Sequence, residues 1–116
     1  MTQMTDVYHF ALLPATDEDA FVAFAQREGF ALASVTRAGT VTHQYLLKEH
    51  AGNGRTNRYL WIVHWTLHFG MEALDQIAGS LWKVHPQMES QAELVSFARY
   101  IQAAESVGVD TTANKP

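Results

Sequence analysis

The segment that most constrains the fold is residues 58–69, where large apolar side chains alternate along the chain. One set of alternate positions is wholly apolar or aromatic: Tyr59, Trp61, Val63, Trp65 and Leu67. The positions between them mix aliphatic and polar side chains: Leu60, Ile62, His64, Thr66 and His68. Alternation with a period of two predicts a β-strand. Because both faces of this strand carry apolar groups, we expect the sheet to be covered on both sides.

The residues near the N-terminus predict a strand followed by a helix. The apolar run 7–13, ended by Pro14, predicts the first strand. Thr16 is placed as the N-cap of a helix that continues to about Glu28, with Gly29 as the stop.

A β-hairpin is predicted next. Residues 31–37 are weakly patterned and lead directly into a strand over residues 40–50, which alternates again. The Gly- and Asn-containing stretch 51–57 is the strongest turn signal in the chain, and it connects this strand to residues 58–69.

The last third of the chain predicts a second helix and a fourth strand. Apolar residues at helical spacing indicate a helix over residues 71–84, ended by Pro86, which pushes His85 towards an extended conformation. Residues 92–103 fit both a helix and a strand. We interpret them as a strand, because the first strand would otherwise keep an unpaired, buried edge.

Composition limits the classes of partner. The 116 residues suit one domain, which we expect to span residues 1–106, with residues 107–116 as a flexible C-terminal tail. The net charge of −4 and the scattered basic residues argue against a nucleic-acid partner. No run approaches the ~18–20 apolar residues that span a bilayer, and no signal-peptide pattern is present, so we expect a cytoplasmic protein without a membrane partner. Without cysteine, disulfides and thiolate chemistry are excluded.

The predicted element order, βαββαβ, is that of an α+β, ferredoxin-like domain. Such a domain has a four-stranded antiparallel sheet with two helices on one face. The second face then needs another cover, and the sheet of an identical chain is the simplest one. We therefore expect a homodimer packed through the Leu60-to-His68 side of the third strand.

This arrangement, over residues 7–103, resembles the dimeric α+β barrel superfamily, which includes antibiotic-biosynthesis-monooxygenase-like and haem-degrading proteins. The resemblance is carried by Trp65 on strand three and by Glu-Ala-Leu at 72–74, which opens the second helix. Oxygen-activating members pair such a tryptophan with an asparagine on strand one, where this chain has His9. The resemblance implies that the chain binds or oxidises a small aromatic or hydrophobic molecule, monooxygenase-like and with no cofactor, in a pocket between sheet and helices.

Hairpin geometry suggests the candidate site. A turn centred on Gly54 places His43 opposite Trp65 and Gln44 opposite His64. We predict that His43, as a general base, and Trp65 are catalytic. The predicted ligand-binding residues are Tyr45, Trp61, His64 and Arg99, of which the last is suited to holding a carboxylate with two hydrogen bonds.

Each of these assignments has a structural alternative. His43 also fits a core histidine with one hydrogen bond, and His64 and His68 fit a polar dimer interface. Those two histidines lie about 13 Å apart on a strand that rises ~3.3 Å per residue, so no metal site is expected. Arg99 also fits an ion pair with a nearby glutamate. The function that competes with ligand binding is therefore a non-catalytic dimeric structural or interaction module.

Overall fold

The computed structural model describes residues 2–35, 39–52, 56–68, 70 and 85–106. Its strands are β1 (Thr2–Leu12), β2 (Gly39–Lys48), β3 (Arg58–Leu67) and β4 (Ala92–Ile101). They pair in an antiparallel sheet with the order β2-β3-β1-β4. This confirms the predicted α+β, ferredoxin-like fold class, and it confirms that the ambiguous last segment is a strand.

The sheet has two unlike faces, which we call the helix face and the open face. The helix face is formed in the central strands by buried side chains: Met4, Asp6, Tyr8, Phe10, Tyr59, Trp61, Val63, Trp65 and Leu67. The open face carries partly or largely exposed side chains: Thr5, Val7, His9, His43, Tyr45, Leu47, Leu60, Ile62, His64, Ala98 and Tyr100. The core of the domain therefore lies on one side of the sheet only.

The first helical segment passes through its predicted stop. It comprises α1 (Glu18–Phe24), a π-helical turn (Ala25–Gly29) and α2 (Phe30–Val35). The prediction that Gly29 ends the helix is wrong, and the chain is still helical where a direct approach to β2 was expected. A Cβ atom on Gly29 would lie 2.3 Å from Cη2 of Trp61. This glycine is therefore needed for the close packing of the helix on β3, and the helix continues through it.

The helix begins one residue later than predicted. Asp17, not Thr16, is the N-cap, and its Oδ1 accepts a hydrogen bond from the backbone N of Asp19 at 2.9 Å. The Thr16 hydroxyl instead donates to the backbone O of Gln91 at 2.7 Å. Because the Thr16 hydroxyl is bound to the loop before β4, the carboxylate of Asp17 accepts the hydrogen bonds of the free backbone N–H groups in the first turn.

A helical segment, α3 (His85–Met88), precedes β4. Pro86 was expected to leave His85 extended, but both residues are helical. The predicted helix over residues 71–84 and the predicted tail, residues 107–116, lie outside the described residues. Among the described helices, none is long and apolar enough to cross a membrane.

The hairpin pairs one position away from the predicted register. His43 was expected opposite Trp65 and Gln44 opposite His64, but His43 lies opposite His64 and Gln44 opposite Val63. Because side chains alternate with a period of two, this shift of one places His43 on the open face, away from the tryptophans.

The shift is already present next to the turn, where Lys48 opposes Tyr59. A β-bulge follows beyond His43, so that Val41 lies opposite Trp65. The extra residue, Thr42, donates its hydroxyl hydrogen bond to the backbone O of His64 at 3.1 Å.

Candidate functional site

A carboxylate is buried in the middle of the apolar helix face. Asp6 on β1 is completely buried, as are its same-face neighbours Met4 and Tyr8 to within a few per cent. Burying a charge in such surroundings is strongly unfavourable unless the charge is paired. The pairing comes from Arg99 on β4, which lies directly opposite Asp6 in the sheet.

Arg99 holds this carboxylate with two hydrogen bonds. Its Nε donates to Oδ1 of Asp6 at 2.7 Å, and its Nη2 donates to Oδ2 at 3.1 Å. This is the two-pronged geometry for which a guanidinium is suited. Burial alone would lower the pKa of Arg99, but the hydrogen bond to Asp6 and the charge of that carboxylate raise the pKa overall. The helix face therefore contains a permanent cation next to its counter-ion.

Aromatic rings surround the guanidinium. Cζ of Arg99 lies 5.5 Å from the ring centroid of Trp65 and 5.4 Å from that of Phe97, both within cation–π range. The ring of Tyr8 lies 4.7 Å from that of Phe97, centroid to centroid. Asp6, Arg99 and these three rings form what we call the ion-pair cluster.

The ion-pair cluster reaches solvent along β4. Phe97 is 41% exposed and Ile101 is 50% exposed, although both lie on the helix face with Arg99. Trp65, by contrast, is fully buried. A buried floor, an exposed apolar rim and one charged pair are features that small-molecule sites combine.

The six predicted site residues divide between the two faces of the sheet. Trp61, Trp65 and Arg99 lie on the helix face, whereas His43, Tyr45 and His64 lie on the open face. The prediction that His43 and Tyr45 share a face with the tryptophans is wrong, because the hairpin pairs one residue away from the predicted register. The alternative pairing of Arg99 with a glutamate is also wrong, since its partner is Asp6.

Trp61 packs between the sheet and the helical segment. Its Nε1 donates to Oε1 of Gln44 at 3.0 Å, and Nε2 of Gln44 donates to the backbone O of Phe30 at 2.8 Å. The ring of Phe30 meets the indole edge-on, with centroids 5.1 Å apart. These contacts join β2, β3 and α2, so they fix the position of the helix over the sheet.

Two imidazoles and a phenol cluster on the open face. The rings of His43 and Tyr45 are nearly parallel, with centroids 6.2 Å apart. The ring of Tyr45 meets that of His64 edge-on at 5.7 Å. Nδ1 of His64 shares a hydrogen bond of 2.9 Å with the hydroxyl of Thr5.

A cleft of about 400 Å³ lies between α1 and the edge strand β2. Glu18 and Lys48 form an ion pair of 2.8 Å in it, and this hydrogen bond lowers the pKa of the Glu18 carboxyl. Burial and the nearby Glu18 raise the pKa of the Tyr59 phenol, which also lines the cleft and stays neutral. The remaining lining is largely apolar and includes Val22, Phe30, Tyr45 and Leu46.

Asp6 and Tyr8 were not among the predicted site residues. The first strand was predicted from residue 7, whereas β1 begins at Thr2 and brings Asp6 into the sheet. The signal was present, because Met4, Asp6 and Tyr8 alternate in phase with the buried face of the strand. A single acid within an otherwise apolar strand face indicates a buried carboxylate that needs a cation.

Comparison with known proteins supports the fold. No protein-family model and no curated protein sequence matches this chain. HapK from Hahella chejuensis is similar in structure, with a TM-score of 0.62 and 14% identity over 92% of this chain and 99% of that chain. SnoaB, a cofactor-independent oxygenase from Streptomyces nogalater, has a TM-score of 0.57 and 16% identity over 92% of this chain and 97% of that chain. This chain therefore has an α+β, ferredoxin-like fold similar to the folds of these two proteins. The resemblance noted in its sequence is therefore confirmed at the level of fold.

Proposed function

We propose that this protein binds a small aromatic or hydrophobic molecule on the helix face, beside the ion-pair cluster, and oxidises it with molecular oxygen. The observation that carries the proposal is the buried Asp6–Arg99 pair, placed among aromatic rings on an otherwise apolar face. A buried ion pair contributes no more to stability than well-packed apolar side chains of similar volume would. Its presence here therefore points to a binding or catalytic role. The structural likeness to SnoaB, itself a cofactor-independent oxygenase, favours the same direction.

The residues have distinct roles in this proposal. Phe97 offers an exposed ring surface for a flat apolar molecule above the buried Trp65, and Arg99 orients an oxygen substituent or carboxylate on it. His43 lies on the other face, so it is not the general base for a molecule bound beside Trp65. In the oxidation, a CH₂ group of the substrate becomes C=O, and the second atom of O₂ leaves as water together with the two hydrogens.

A ligand screen tests the proposal directly. Thermal unfolding is followed with hydroquinones, quinones and polycyclic phenols, and oxygen consumption is measured for those stabilising compounds that carry a ring CH₂ group. We expect Arg99→Lys to lose most of the stabilisation, because lysine cannot hold two oxygens in one plane. The matched control is Arg58→Lys, an exposed arginine on β3. If no aromatic compound stabilises the protein, or if both variants respond like the parent, the proposal is rejected.

We also propose that the protein is a homodimer packed through the open face. Tyr45, Leu47 and Tyr100 are 43%, 45% and 57% exposed there, next to the partly buried Ile62. An apolar sheet face of this kind suits a second sheet packed about 10 Å away. This face also favours the competing function, a non-catalytic dimeric module. A dimer in sedimentation experiments, together with no ligand from the screen, would select that alternative.

A further inference from the structure

We propose that His43 and His64 form a two-histidine site for a divalent transition-metal ion on the open face. The site lies on the opposite side of the sheet from the ion-pair cluster. The test of this metal site therefore does not depend on whether the proposed oxygenase function is correct.

The two imidazoles are placed to reach one ion. His43 and His64 are directly opposed on β2 and β3, and Tyr45, two residues along β2, lies near both rings, with centroids 6.2 Å and 5.7 Å away. Side chains of directly opposed residues have Cβ atoms about 4.5–5.5 Å apart. From that separation, two imidazole nitrogens can converge on one ion at about 2.0–2.1 Å each.

One of the two rings is already oriented for binding. Nδ1 of His64 is engaged with the hydroxyl of Thr5 at 2.9 Å. With the proton on Nδ1 and donated to Thr5, Nε2 carries the lone pair that a metal ion requires. Hydrogen bonds of this kind to the second nitrogen are the usual support of metal-binding histidines.

The register of the hairpin brings the pair together. The pairing is regular from Lys48, opposite Tyr59, to His43, opposite His64. A β-bulge follows directly, with Thr42 as the extra residue, and bulges are common next to functional sites. Among the described residues, no three potential ligands gather within one chain, so water or the second copy supplies the remaining ligands.

His68 provides a matched comparison. It follows His64 on the same side of the chain, and its Nε2 shares a hydrogen bond of 2.8 Å with Thr40. The last described pair at this end of β3 is Leu67 opposite Gly39. Among the described residues of β2, no histidine therefore lies opposite this end of β3. His68 therefore controls for the chemistry of a single imidazole hydrogen-bonded to a threonine.

Calorimetric titration with Zn²⁺ and with Cu²⁺ tests the site. We expect saturable binding of at most one ion per chain, with Mg²⁺ giving none, because imidazole suits the later transition metals. His43→Ala and His64→Ala should each weaken binding about 100-fold or more, whereas His68→Ala should leave it unchanged. Thr5→Val should weaken it roughly 10- to 100-fold, and Thr5→Ser should restore it.

The Cu²⁺ complex also gives a spectroscopic signature. Its electron paramagnetic resonance spectrum should show coupling to two imidazole nitrogens in the parent and to one in either histidine variant. The double variant His43→Ala, His64→Ala should bind neither ion, and far-ultraviolet circular dichroism verifies that it is folded. Undiminished binding by that double variant, or an equal loss in His68→Ala, would overturn the proposal.

Discussion

The two faces of this one sheet differ in where their side chains find partners. On the helix face, Trp61 and Trp65 are fully buried, and even the charged Asp6 is satisfied within the chain. On the open face, Tyr45 and Tyr100 remain about half exposed, beside aliphatic neighbours. In the described residues, the centre of the helix face is thus covered by its own chain up to an exposed rim at Phe97 and Ile101, whereas apolar side chains stay exposed across the open face. Perturbations of the two faces should therefore have different consequences, in stability on one and in association on the other.

The largest effect is expected from breaking the ion pair on the helix face. Arg99→Met keeps an apolar stem against Trp65 but leaves the buried carboxylate of Asp6 without its arginine. We expect a loss of about 3 kcal/mol in the free energy of unfolding, at the lower end for buried pairs because Arg99 is partly exposed. Urea denaturation at neutral pH measures it.

Removing the second charge sharpens this prediction. The double variant Asp6→Asn, Arg99→Met should recover at least half of the lost stability, because no unpaired charge is then buried. Arg58→Met serves as the surface control. If the double variant is no more stable than Arg99→Met, the stability lost in Arg99→Met does not come from the buried carboxylate of Asp6.

A charge on the open face should act on association instead. Ile62→Asp places a carboxylate at the centre of the proposed interface, and burying it between two sheets costs about 3 kcal/mol, or more than 100-fold in the dimer dissociation constant. Sedimentation velocity over a concentration series measures this change. Ser90→Asp, in the exposed turn before β4, is the control. A parent protein that is monomeric throughout would refute the dimer, and an Ile62→Asp variant that still dimerises would move the interface elsewhere.

The packing of the helix on the helix face is tested at Gly29. Gly29→Ala adds a Cβ atom 2.3 Å from the ring of Trp61, so the helix or the indole has to shift. We expect a destabilisation of about 2 kcal/mol, typical of an overpacked core, even though alanine favours helix more than glycine does. Gly52→Ala is the matched control, because nothing lies within 4 Å of the added atom. Equal stability of the two variants would contradict this close approach.

The sequence predicted strand positions well and side-chain directions less well. Alternation in residues 58–69 correctly assigned Trp61 and Trp65 to one face and Ile62 to the other, because a regular strand has a fixed period. The same logic failed for His43 and Tyr45, since a hairpin that pairs one residue away from the predicted register exchanges the two faces of the strand. Alternation therefore sufficed within one strand, whereas the pairing between two strands depends on where the turn closes.

Contacts between residues far apart in the chain were also not predicted from the sequence. Gly29 was interpreted as a stop because glycine commonly follows a helix, yet here it is required by an indole ring that comes 32 positions later in the chain. The Asp6–Arg99 pair likewise joins residues 93 positions apart. Such contacts depend on which strands become neighbours, and only the tertiary fold decides that. Arg99 was recognised as notable from its sequence context, but its partner was not.

The smallest effect is expected at the rim of the α1–β2 cleft, where a surface ion pair links a helix to the edge of the sheet. The hydrogen bond from Lys48 lowers the pKa of Glu18 below its usual value of about 4.5. A carboxyl whose pKa is lower in the folded state stabilises the protein above its unfolded-state pKa, and this contribution disappears as the pH falls through the folded-state value. Both side chains are 43% exposed, so we expect at most about 0.5 kcal/mol. The free energy of unfolding should differ by this amount between the parent and Lys48→Met at pH 7, and the difference should shrink as the pH is lowered below the usual pKa of a glutamate. It should also shrink in about 1 M salt, which screens exposed pairs. A difference that persists unchanged at pH 3 and in high salt would mean that the lysine acts through packing of its stem against the cleft, not through its charge.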